Sequence, residues 1–184
     1  MADPRESKIA GAPLSDRPLP STLEAERAVL GCALLDPPNT LDQITGMLKF
    51  EECFYSPAHQ RIYKALIDLR RDLGPGKIDL VTLSEYLQRK NWLDDIGGSE
   101  YLATLIGVVP TTANLDKYLE LVLDSHILRR LITSCADITS RCYAADDNVP
   151  DLVDRVEQEI MSISQMRISH DVQPIGRILD EAFA

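Results

Sequence analysis

An all-α fold follows from three observations on the 184-residue chain. Apolar residues recur at helical spacing along most of its length, no segment shows a strand pattern, and the periodic segments are bounded by helix-start and helix-stop residues. The predicted architecture is a compact multi-helix head over residues 20–110, then a long antiparallel αα-hairpin over 111–167. Residues 1–19 read as a tail: they carry Pro4, Gly11, Pro13 and Pro18 and no periodicity. Residues 168–184 read as a polar linker and the start of one more helix.

The first helix is predicted over about Thr22–Leu35. Ser21 is placed to cap it, with Glu24 reaching back to the Ser21 N–H as a capping box, and Pro18 and Pro20 hold the approach extended. Ala25, Val29, Leu30, Ala33 and Leu34 make its apolar stripe, and Asp36-Pro37-Pro38 stops it. A short second helix follows Asn39, with Leu41, Ile44, Met47 and Leu48. Ser56-Pro57 starts the third, Ser as cap and Pro at the first helical position; Ile62, Leu66 and Leu69 form its stripe and Gly74-Pro75-Gly76 ends it.

Asp79 caps the fourth helix, which carries Leu80, Leu83 and Leu87. Gly97-Gly98 makes a turn, and Ser99 is the expected cap of a fifth helix with Tyr101, Leu102, Leu105 and Ile106. A tyrosine in that position serves as core or as an interface anchor. From Asn114 a helical pattern runs to about Ala144, some thirty residues or ~45 Å, longer than a small body needs. Leu152, Val153, Val156, Ile160, Ile163 and Met166 then recur at near-heptad spacing and should pair with it.

Composition narrows the function classes. The net charge is −10, against a nucleic-acid backbone footprint. Arg70-Arg71 and Arg129-Arg130, the densest basic clusters, sit in helical patterns. The four cysteines form no C-x-x-C pair; Cys135 and Cys142, seven apart, are expected to pack as small hydrophobes. His59, His126 and His170 match no zinc spacing, and no window reaches the ~20 apolar residues of a membrane span. A cytoplasmic, membrane-free protein is expected.

No chemistry-bearing motif appears. Gly74-Pro-Gly-Lys77 is followed by Ile78, so it lacks the hydroxyl of a phosphate loop. The acidic pairs Glu51-Glu52, Asp94-Asp95 and Asp146-Asp147 fall in turns or helix starts. No catalytic, cofactor-binding or metal-binding residue is assigned, which leaves surfaces for partners.

Several runs carry a family resemblance in order from about residue 18 to the end. They are Pro20-Ser-x-x-Glu-Ala-Glu-x-x-Val-Leu-Gly31, Phe54-Tyr55 with His59-Gln-x-Ile-Tyr63, and Ile78-Asp-Leu-Val-Thr-Leu83. They continue as Gly97-Gly98-x-x-Tyr101-Leu102, Val109-Pro-Thr-x-Ala-Asn114, Leu128-Arg-Arg130 and Pro174-Ile-Gly-Arg-Ile-Leu179. Together they resemble the N-terminal domain and the start of the linker helix of bacterial replicative DNA helicases, the DnaB family.

The resemblance implies a non-catalytic collar. N-terminal domains of this family pair through their hairpins into dimers, and three dimers form a collar over a hexameric motor ring. That collar docks primase, and a helicase loader engages nearby. The RecA-like motor is absent here, so ATP, magnesium and 5′–3′ unwinding belong to the full-length member, and DNA meets only the full ring. The chain stops within the expected linker helix, which favours a fragment over a split or shortened gene.

By periodicity plus resemblance, the expected self-association residues are Leu128, Leu131, Ile132, Cys135 and Ile138. Primase docking is expected at Glu24, Tyr101, Arg129 and Arg130, and linker-helix docking at Ile178, Leu179 and Phe183. The place of work would be the nucleoid-associated replisome. The alternative is a free-standing helical adaptor or regulator that binds helicase or primase.

Overall fold

The computed structural model describes residues 17–144 and 148–171. The described residues form seven α-helices and no strand: α1 (Leu23–Leu35), α2 (Pro37–Met47), α3 (Pro57–Leu73), α4 (Leu80–Arg89), α5 (Gly98–Val108), α6 (Leu115–Ala144) and α7 (Val149–Asp171). Single 3-10 turns sit at Glu51–Cys53, Pro75–Lys77 and Asp94–Ile96.

The central element is α1, which packs chiefly on α5 and α6 and also on α2 and α3. Its Ala25, Ala28, Val29, Leu30, Cys32 and Ala33 are all buried, a burial all round that a surface stripe does not describe. Gly31 explains how α1 reaches α5: a β-carbon there would lie 2.5 Å from the Leu105 carbonyl oxygen and 3.2 Å from Val109 Cγ2. Any side chain at Gly31 would force the two helices apart. Leu41, Phe54, Ile62, Leu66, Leu87 and Leu102 close the core, each at 0% exposure.

The starts of the helices depart from the sequence reading in instructive ways. α1 begins at Leu23 with Thr22 as its N-cap, and neither Ser21 nor Glu24 forms a capping box. The register is one residue later than predicted, and tertiary contacts take the side chains. The Thr22 hydroxyl lies 3.3 Å from both the Leu121 carbonyl oxygen and the Ser125 hydroxyl of α6. Glu24 pairs instead with Arg27 at 3.1 Å.

α2 starts at Pro37 rather than after Asn39, since proline fits a first helical position and Asn39 donates to the Asp36 carboxylate. Before α3, Ser56 stands at the cap position but makes no side-chain cap bond. The Asp79 cap does form, and Thr82 completes a capping box: Thr82 N–H donates to Asp79 at 2.8 Å and Asp79 N–H to the Thr82 hydroxyl at 2.9 Å. At α5 the predicted Ser99 cap is displaced by Gly97, whose φ of 97° together with 76° at Gly98 needs glycine at both positions.

The long helix splits in character along its length. Leu115, Leu119, Val122 and Leu123 of α6 are buried in the head, so the head extends past residue 110. The remainder of α6 has α7 beside it, joined by Arg130 to Glu159 at 2.9 Å and Ser134 to Glu159 at 2.9 Å. Cys135 and Cys142 are exposed, contrary to their expected packing, because α7 lies against a different face of α6. Cys32 and Cys53 are buried thiols, and that burial pushes both pKa values up.

Candidate functional site

Two features of the described residues stand out from ordinary packing: a buried polar network under α1, and a hairpin surface that the chain itself leaves open.

The network is centred on Glu26, 1% exposed on the inward face of α1. Its carboxylate accepts from the Tyr55 N–H at 2.6 Å, the Ser56 N–H at 3.3 Å and His59 Nδ1 at 2.6 Å. It thereby supplies the negative charge at the start of α3 that the Ser56 side chain does not. With Nδ1 facing a carboxylate, His59 turns Nε2 to the Tyr101 hydroxyl at 2.6 Å. The His59 and Tyr101 rings also stack, their centroids 6.1 Å apart.

Tyr101 in turn lies beside Arg27; its hydroxyl, with the Glu24 carboxylate, holds the Arg27 pKa above its ordinary value. The order Glu24, Arg27, Tyr101, His59, Glu26 therefore runs from surface to core. It ends on the Glu26 carboxylate, and its contacts clamp α1, α3 and α5 together. The sequence reading quoted Glu26 only as part of the Glu-Ala-Glu run and gave it no site role. The available signal was an acid on the buried side of the α1 stripe and a histidine just inside Pro57.

Arg129 joins the head to the hairpin from the other side. It is buried, and it donates to the carbonyls of Pro20 at 3.0 Å and Cys53 at 2.7 Å, with its guanidinium 5.5 Å from the Tyr55 ring centroid. Burial lowers its pKa below the ordinary value. A guanidinium so engaged ties the head to the hairpin, which leaves little of the residue expected at the primase-docking surface open to a partner. Tyr101, half-buried and bound to His59, is likewise held from within. Glu24 is exposed, and Arg130 is half-buried against Glu159. His126, one turn before Arg130, is buried; loss of water and the nearby Arg129 lower its pKa below 6.5.

Of the predicted self-association residues, Leu128 is 50% and Ile132 46% exposed, Cys135 is exposed, and Leu131 and Ile138 are intermediate. Leu128, Ile132 and Cys135 share one face of α6, turned away from the Arg130 and Ser134 face that meets α7. The second helix adds apolar surface that the prediction left out: Val153 at 50%, Ile160 at 38% and Met161 at 64% exposure. Ile178, Leu179 and Phe183 lie outside the described residues.

Between hairpin and head runs a groove of about 1150 Å³. Leu19, Phe50 and Tyr55 line it from the head, Arg130 and Ile138 from α6, and Val156 from α7. Among the described residues no group of His, Cys, Asp and Glu is arranged to hold a metal, and no helix is long and apolar enough to cross a membrane.

The comparisons with known proteins agree with this architecture. Residues 18–124 match the model of the DnaB-like helicase N-terminal domain. The replicative DNA helicase DnaB of Geobacillus stearothermophilus is 36% identical over 169 residues, covering 92% of this chain and 36% of that protein. The replicative DNA helicase DnaC of Bacillus subtilis is 36% identical over 170 residues, 92% of this chain and 37% of that protein. The chain thus spans little more than a third of these relatives' length.

Among solved structures, the N-terminal domain of DnaB helicase from Mycobacterium tuberculosis is 38% identical with a TM-score of 0.67, over 79% of this chain and 99% of that one. A DnaB-like replicative helicase, solved with attention to its interactions with primase, aligns at TM-score 0.68 and 23% identity, over 88% of this chain and 35% of that one. At that identity the second likeness is one of fold.

Proposed function

The chain belongs to the DnaB-like helicase N-terminal domain family, and from that premise we propose that it is the collar of a replicative helicase, pairing subunits through its hairpin and offering primase a docking surface. The observation that carries this reading is the exposed apolar surface on both helices of the hairpin. Leu128, Ile132 and Cys135 on α6, with Val153 and Ile160 on α7, are exposed where a self-sufficient hairpin would be polar. Leu131 and Ile138 flank that face. Pairing two copies would remove the Leu128–Ile132–Cys135 face from water, and three such pairs would make a six-membered collar. A loader would engage the assembled collar, and DNA would pass only through the full ring with its ATP-driven motor.

For primase, the docking surface is Glu24 and Arg130, with Tyr101 holding His59 and Arg129 holding the Pro20 and Cys53 carbonyls behind them. The acidic chain supports a protein-binding role over a grip on DNA. Ile178, Leu179 and Phe183 would dock the linker helix on a neighbouring subunit.

The test is mass in solution by sedimentation, with and without primase. Dimers or larger species that take up primase are expected, and Ile132→Asp with Ile138→Asp should return the chain to monomer. A strict monomer that ignores primase would defeat the reading. Unchanged primase affinity in Glu24→Ala with Arg130→Ala would remove those residues from the docking surface.

A further inference from the structure

We propose that the solvent-facing side of α7 docks a basic amphipathic helix from a second protein, at a surface separate from the one that pairs the hairpins. The first support is position. Glu159 marks the side of α7 that meets α6, through Arg130 and Ser134 at 2.9 Å each. Val153, Asp154, Glu157, Ile160 and Met161 each lie roughly 100–160° around the helix from Glu159, at 3.6 residues per turn. They form one face turned away from α6, and none of them lines the groove. The packing of α7 within the chain is served by Leu152, Val156 and Ile163, which are half-buried or buried.

The second support is apolar surface in excess of that packing. Val153, Ile160 and Met161 are exposed on the solvent side, and Val149, 70% exposed, extends the stripe toward the hairpin tip. From Val149 to Met161 the stripe runs about 18 Å, three turns of an opposing helix.

The third support is charge. Asp154 and Glu157 are exposed, and among the described residues no ion pair or hydrogen bond engages either side chain. Asp151 sits in the first turn, where the helix dipole favours an acid; Asp154 and Glu157 lie beyond it. Arg155, between them in sequence, stands on the Glu159 side and lines the groove. The outward face is therefore apolar and purely negative. It repels nucleic-acid phosphates and anionic lipid, and it repels its own copy, because a two-fold axis sets acid against acid. The outward positions of α6 differ: Leu128, Ile132, Cys135 and Thr139 carry no charge and can meet themselves. The α6 face thus suits a second copy, and the α7 face suits a foreign helix with apolar residues on one side and Lys or Arg beside them.

The test uses the full chain and a fluorescein-labelled peptide of about 15 residues, four helical turns. It carries Leu at i, i+4, i+7 and i+11, Lys elsewhere, and p-benzoylphenylalanine in place of one central Leu. Photo-crosslinks are expected to residues 149–161 of α7. Asp154→Lys with Glu157→Lys, at exposed positions, should keep the helical circular dichroism and lower peptide affinity by anisotropy about tenfold. Met161→Asp should weaken it by a similar factor. Asp94→Lys with Glu100→Lys, an equal charge change on the head, should leave it unchanged. Crosslinks elsewhere, equal losses in the two double-Lys variants, equal binding of a peptide with Glu in place of Lys, or no binding would each overturn the proposal. Sedimentation of the Asp154→Lys, Glu157→Lys variant without peptide should show self-association unchanged; its loss would overturn the separation of the two surfaces. Failure of the wild-type chain to self-associate would count against the collar reading alone.

Discussion

In the head, Leu30, Leu66 and Leu105 are 0%, 0% and 1% exposed; on the hairpin, Leu128 and Ile132, equally apolar and equally helical in spacing, are 50% and 46% exposed. The difference lies in the number of neighbours. α1 touches α2, α3, α5 and α6, so nearly every side of it is covered. From Leu128 onward, α6 meets the head through Arg129 and α7 through Arg130 and Ser134, and neither contact lies on the face of Leu128 and Ile132. The same residue grammar thus builds a closed core in one region and an unfinished interface in the other. Even within α6 the change is visible, since Leu119 is fully buried and Leu128, nine residues on, is half exposed.

The largest test of this contrast lies under α1. Glu26→Ala leaves His59 and the Tyr55 N–H without their buried carboxylate, and should cost about 3–5 kcal/mol in urea unfolding. Next is Gly31→Ala, whose added β-carbon meets the Leu105 backbone; about 1–3 kcal/mol of destabilisation is expected by the same measurement. If Gly31→Ala were neutral, the close approach of α1 to α5 would not be what orders the head.

A smaller effect comes from pH. The folded pKa of His126 is depressed by burial and by Arg129, so the unfolded state takes up a proton first. The stability tied to neutral His126 is therefore present above about pH 6.5 and falls as the pH drops below it, levelling off below the folded pKa. His126→Gln should flatten that part of the pH–stability curve, and an unchanged slope would assign it to other groups. The smallest effect on stability is expected on the hairpin. Ile132→Ala should shift monomer unfolding by less than ~0.5 kcal/mol while weakening self-association in sedimentation.

Local signals were readable to different degrees. Asp79 was legible as a cap because its partners, Thr82 and its own N–H, lie within the same four residues. Ser21–Glu24 had the same kind of pattern and failed, because Thr22 found partners on α6, about a hundred residues away in sequence. The cap of α3 was misread for the same reason: the charge at its start comes from Glu26, about thirty residues upstream. Arg129 reads in sequence only as part of a basic pair on a helix, because its partners, the carbonyls of Pro20 and Cys53, lie far away in the chain. Cys135 and Cys142 shared a face as expected, but a period cannot say which face receives a neighbour.

By itself the sequence determined the helical class, the order and approximate limits of the elements, the long hairpin and the family. Those are matters of local spacing, punctuation and ordered motifs, and they need no knowledge of what lies opposite. Only the tertiary structure decided which capping signals were used, that Glu26, His59 and Tyr101 form one clamp, and that Arg129 ties head to hairpin. It also decided which apolar face of α6 remains for a partner. Each of those outcomes depends on groups distant in the chain arriving within hydrogen-bonding or van der Waals reach, and packing alone brings them there.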